Sequence, residues 1–174
     1  MQRIIRTGLI GVHDGYQGLP VYSLVTAGGP FWDNADLRLI GYAHPPENLK
    51  SLSTEYFVGR IEGHSMEPTI PSGSYCLFRF FVAGSRSGRT VLVEERKVAE
   101  CAYTLKRYLR SPAHTEGAER RGSIILKSEN PDQLDIELNE DAESQDQRYA
   151  VIAEFVQVLG ALKWVRSAWD PSNE

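Results

Sequence analysis

From residue 55 onward the chain is a succession of short runs rich in Val, Ile, Leu, Tyr and Phe: EYFVGRIEG, SYCLFRF, RTVLVEER, CAYTLKRYLR, GSIILKS, LDIEL and YAVIAEFVQVLGALKWV. Several alternate apolar with polar residues, the two-residue period of a strand with one buried face. Turn clusters separate them (PSGS, AGSRSG, SPAHTEG and SENPDQ), in which Gly, Pro, Asn and Ser interrupt any regular element. Ahead of them, VYSLVTAGGPF is a short extended run that Ala27-Gly28-Gly29-Pro30 brings to a stop. Residues 31–54, with HPPENLK, read as connecting structure containing one short strand. The last run, 149–165, is long enough for its apolar pattern to admit a strand or a helix. A mainly β chain is expected, with ELNEDAESQDQ as a solvated loop.

The 174 residues suit one domain with a sizeable core. A net charge of −4 makes no case for nucleic-acid binding by the chain as a whole. The apolar runs are too short, or too interrupted by charge, to span a bilayer, so no membrane association is expected. Cys76 and Cys101 fall inside apparent strands and have neither metal-ligand spacing nor a disulfide framework around them. Buried free thiols in a reducing cytoplasm are expected, with no metal and no cofactor.

One segment carries chemistry. GHSMEPTIPSG, residues 63–73, sets Ser65 on a turn directly after a strand. A serine hydroxyl is a weak nucleophile until a base takes its proton. The adjacent His64 is badly placed to do so, because neighbouring side chains of an extended chain point to opposite faces. His13, His44 and His114 lie in loop-like stretches with no carboxylate at a telling spacing. Lysine is the other choice. Of five lysines, Lys106 stands out because it interrupts AYTLKRYL, sharing a strand face with Thr104 and Tyr108. Free lysine, with a pKa of about 10.4, is almost wholly charged at neutral pH. Burial among apolar side chains lowers that pKa and frees a lone pair. Lys106 also fits a surface residue whose stem lies along apolar neighbours. The residues alone leave both readings open.

GHSMEP after a strand and YTLKR on a strand 41 residues later together resemble the Ser-Lys peptidases of the LexA family, which includes LexA, UmuD and the lambda-type phage repressors. LPVYSLVTAGGP upstream and LKSENPDQLDIEL and VIAEFVQVL downstream extend the likeness over about residues 19–160. The resemblance implies a mainly β, LexA-like peptidase fold of twisted antiparallel sheets with a mobile cleavage-site loop. It implies Ser65 as nucleophile and Lys106 as general base, supported by Met66 and Thr104. The backbone N–H groups of His64 and Ser65 would form the oxyanion hole, and Ala27-Gly28 would be the bond the protein cuts in itself. A short arm (1–27), the peptidase domain (28–164) and a C-terminal tail (165–174) are then expected. The arm is too short and wrongly patterned for the helix-turn-helix reader that LexA and the phage repressors carry, so no DNA-binding domain is expected.

By the same resemblance the chain forms a homodimer and answers to a recombinase filament, or to a helicase or polymerase partner. Self-cleavage would act as a switch in a bacterial or phage SOS-type stress or defence response. Gly73-Ser74 stands where many members have Gly-Asp. Two rival readings use the same residues. SMEPT also fits the serine box of bacterial signal peptidase, but that enzyme's membrane helices and later Gly-Asp-Asn box are missing here. The other is a non-catalytic dimerisation or docking module in which the dyad is idle.

Overall fold

The computed structural model describes residues 18–25, 38–49, 55–80, 84–96, 101–111, 123–139 and 148–167. Their regular structure is all strand: β1 (Leu19–Val25), β2 (Arg38–Ala43), β3 (Tyr56–Glu62), β4 (Tyr75–Phe80), β5 (Thr90–Arg96), β6 (Cys101–Ser111), β7 (Ser123–Lys127), β8 (Ile136–Asn139), β9 (Tyr149–Leu159) and β10 (Trp164–Ser167). The ambiguous final run is therefore two strands. β9 hydrogen-bonds along both sides, to β4 and to β5, which a helix could not do.

All ten strands join one sheet in the order β10-β2-β1-β3-β4-β9-β5-β6-β7-β8. Every pairing is antiparallel except one: β1 and β3 run parallel, Val21 opposite Val58 through Val25 opposite Glu62. The mainly β, largely antiparallel architecture is the expected one, with this single parallel pair added to it. β2 folds back antiparallel along one side of β1, so the chain re-enters on the other side heading the same way as β1. The sheet curls until β1 approaches β6, although β3, β4, β9 and β5 lie between them in hydrogen-bonding order.

The largest core cluster fills the inside of that curl. Tyr22 and Leu24 of β1 meet Phe57 and Ile61 of β3, Phe78 and Phe80 of β4, and Tyr103 and Leu105 of β6. Phe57 stacks on both Phe78 and Phe80, with ring centroids 5.2 and 4.5 Å apart. Gly59 allows this close approach, since a Cβ there would lie 2.3 Å from Leu24 Cδ1. A second cluster gathers Leu19, Val21, Ala43, Val58 and Leu77, and a third Val91, Val93, Tyr108, Ile124 and Leu126.

Leu19–Val25, read as the end of the arm, is an interior strand with Leu19, Val21 and Leu24 buried. Residues 165–167, read as tail, complete β10 against β2. Cys76 is a buried free thiol, its pKa pushed up to about 12 by burial. No helix among the described residues is long and apolar enough to cross a membrane.

Candidate active site

Ser65 sits in the loop between β3 and β4. The loop is closed at its base by Ile61 N–H donating to the Ser74 carbonyl and Gly73 N–H donating to the Ile61 carbonyl. Gly73 takes φ +84° to make that closure, a conformation costly to any side chain with a Cβ. On either side of the exposed apex, Met66 and Ile70 are buried in the main core and pin the loop down. Ser65 thus rides one residue away from a core anchor, which limits how far its hydroxyl can wander.

Lys106 lies at mid-length on β6, paired with Val91 of β5. Strand alternation puts it on the face of Tyr108, beside the third core cluster, while Tyr103 and Leu105 face the main core. Its side chain is only 5% exposed. Its Nζ donates to Ser128 Oγ at 2.5 Å and to the Leu134 carbonyl at 2.8 Å. Burial lowers the Lys106 pKa, and the carboxylate of Asp135 opposes that shift without reversing it. The surface-lysine alternative does not describe this side chain.

The Ser65 hydroxyl reaches the same strand. Its Oγ donates to the Leu105 carbonyl at 2.9 Å and lies 3.5 Å from Thr104 Oγ1. Ser65 and Lys106 are not hydrogen-bonded to each other, so the serine proton rests on a backbone carbonyl beside the lysine. His64 turns away, its Nδ1 3.0 Å from Glu67 Oε1 at the exposed rim. Among the described residues, no acceptor takes the backbone N–H of His64 or of Ser65.

The turn after β7 ties the two halves together, a role that sequence reading did not assign to it. Ser128 holds the lysine, and its own N–H donates to Asp135 Oδ1 at 2.7 Å. The next two residues hold the serine loop: Glu129 N–H and Asn130 N–H donate to the Ser65 carbonyl at 2.9 and 3.1 Å. Asn130 Nδ2 donates to the His64 carbonyl at 2.9 Å. The Glu129 carboxylate accepts from Thr69 Oγ1 of the serine loop and from Arg107 of β6. Those two donors, Thr69 foremost, hold the carboxyl below the usual carboxylate range. The available signal was SENPDQ, which read only as a turn cluster. Its Ser, Glu and Asn are also the residue types that bridge backbone groups.

Chemically, the arrangement offers a hydroxyl, a desolvated amine on a neighbouring strand position and two unspent N–H groups at the hydroxyl's own residue and the one before. These are the parts acyl transfer needs. Ala27 and Gly28 lie outside the described residues.

No curated protein matches the chain. The family model for Peptidase S24-like proteins matches residues 20–156, a span that takes in β1 from its second residue and runs through most of β9. The chain belongs to the Peptidase S24-like family.

Proposed function

We propose that the protein is a self-cleaving serine peptidase in which Ser65 and Lys106 cut the Ala27–Gly28 bond of their own chain. The observation that carries this reading is the buried Lys106 Nζ. It makes two donations to oxygen, on the residue next to the carbonyl that holds the Ser65 proton. A neutral amine has two N–H bonds and one lone pair. With Ser128 Oγ and the Leu134 carbonyl taking the N–H bonds, the lone pair is left for the serine proton.

In the first step the Ser65 proton passes to Lys106 Nζ as Oγ bonds to the Ala27 carbonyl carbon. The resulting oxyanion takes hydrogen bonds from the backbone N–H groups of His64 and Ser65. Collapse breaks the C–N bond, and the Gly28 nitrogen leaves with the proton that Lys106 accepted. Water, deprotonated by Lys106, then releases Ala27 as a carboxylate and returns Ser65 to its hydroxyl. Because the bond belongs to the same chain, docking of the loop replaces substrate binding, and a partner that favours the docked state accelerates cleavage. In that role the protein is a regulated switch of an SOS-type stress or defence response.

The test is the intact mass of purified protein incubated at about pH 7 and about pH 10, spanning the range up to the free lysine value. Loss of residues 1–27, faster at the higher pH and absent in Ser65→Ala and Lys106→Ala, supports the reading. A wild-type chain that stays whole throughout, even with a recombinase filament on single-stranded DNA added, overturns it.

A further inference from the structure

We infer that Asn130 is a positioning residue for the oxyanion hole, acting through the peptide bond between His64 and Ser65; this rests on the reaction proposed above. The His64 carbonyl and the Ser65 N–H belong to one planar trans peptide and point in opposite directions. Whatever fixes the carbonyl therefore aims the N–H. Asn130 Nδ2 donates to that carbonyl at 2.9 Å, on the side of the peptide opposite the Ser65 N–H. The same contact draws electron density toward the carbonyl oxygen, which makes the Ser65 N–H a stronger donor to a developing negative charge.

The Asn130 side chain is set for this task from both ends. Its Oδ1 accepts the Asp132 N–H at 2.9 Å, which leaves Nδ2 as the atom facing His64. Its backbone is also engaged, the N–H with the Ser65 carbonyl and the carbonyl with the Gln133 N–H. The side-chain amide is thus a short rigid strut between a closed turn and the serine loop. An aspartate could accept from Asp132 but could not donate to His64. A serine could keep the turn by accepting from Asp132, yet lacks the reach to His64. The strut requires a side chain that accepts at one atom and donates at the next, and asparagine is the shortest that does.

The experiment uses the full chain and compares Asn130→Ser with wild type. The first readout is the rate constant of self-cleavage across the alkaline range. The second is the amide proton shift of Ser65 by NMR, in a Lys106→Ala background that stays whole. The expected result is a loss of roughly tenfold in rate at every pH, less than the loss from deleting an oxyanion donor outright. The pH midpoint should stay unchanged, and the Ser65 amide resonance should move upfield. A variant that cleaves as fast as wild type overturns the inference, and so does a rate loss that travels with a shifted midpoint, which would place the effect on Lys106. An unmoved Ser65 amide resonance overturns it as well, whether or not any chain cleaves. If wild type fails to cleave, the proposed reaction falls while the NMR arm still decides the role of Asn130.

Discussion

Lys106 Nζ, buried in the middle of a strand, donates to Ser128 Oγ at 2.5 Å from across the sheet. The hydroxyl steadies the amine without adding a charge, so burial remains the dominant influence on the lysine.

Self-cleavage should rise with pH and reach half its plateau below the free lysine value of about 10.4, because burial disfavours the ammonium. The sign for stability follows from the same shift. The folded chain holds the Lys106 proton less tightly than the unfolded chain, so stability is lower beneath the folded pKa and recovers as pH climbs toward the unfolded one. Lys106→Met should therefore be inactive yet more stable than wild type at neutral pH, with the gap closing in alkaline urea titrations. Lys106→Arg should be inactive at every pH, since guanidinium keeps its proton.

Asp135→Asn should move the cleavage midpoint to lower pH. The carboxylate raises the Lys106 pKa, and the amide removes that charge while Oδ1 still accepts the Ser128 N–H. Cleavage near neutral pH should be faster than wild type and the alkaline plateau unchanged. A pH series on both proteins reads this directly.

Ser128→Ala should lower the alkaline plateau by about tenfold, a part of the roughly 10²–10⁴-fold that a positioned general base contributes. The amine keeps the Leu134 carbonyl as its acceptor and loses the contact that orients its lone pair. Losing a buried hydrogen bond to a charged group should also cost about 1.5–3 kcal/mol of stability where Lys106 is protonated. Urea denaturation at neutral and alkaline pH separates the two effects.

Gly59→Ala should destabilise the fold by about 1–3 kcal/mol, the usual range for overpacking. The new methyl would sit 2.3 Å from Leu24 Cδ1 and 2.9 Å from Phe78 Cε2, so both the Leu24 side chain and the Phe78 ring must give. Thermal unfolding of the Ser65→Ala background, which stays whole, measures this without interference from cleavage.

Much of the fold was legible because β3 through β8 each carry a local signal, an apolar alternation bounded by Gly, Pro or Asn. Lys106 was legible for a related reason: it interrupts AYTLKRYL with a charge on the strand face it shares with Thr104 and Tyr108. Its partners were not. The Leu134 carbonyl is a backbone atom that any residue supplies, and Ser128 is of a type that fills turns everywhere. The place of β1 was hidden for a different reason. Its parallel pairing with β3 joins segments more than thirty residues apart in the chain, and no local pattern records which strands become neighbours. The seven residues therefore looked like the end of an arm, whereas Leu19, Val21 and Leu24 are core.

That interior position makes severing the chain and parting its pieces two different events. The Ala27–Gly28 bond lies just beyond Val25, while β1 stays hydrogen-bonded to β2 on one side and β3 on the other. Its three buried aliphatic side chains each contribute about 1.5–3 kcal/mol to remaining in place. If the proposed cut is made, the nicked protein is a two-piece complex with a lifetime of its own, set by how readily the sheet opens between β2 and β3. Whatever the N-terminal piece carries would stay attached for that lifetime, so the delay between such a cut and its effect would be a property of the sheet, tunable without touching the serine or the lysine.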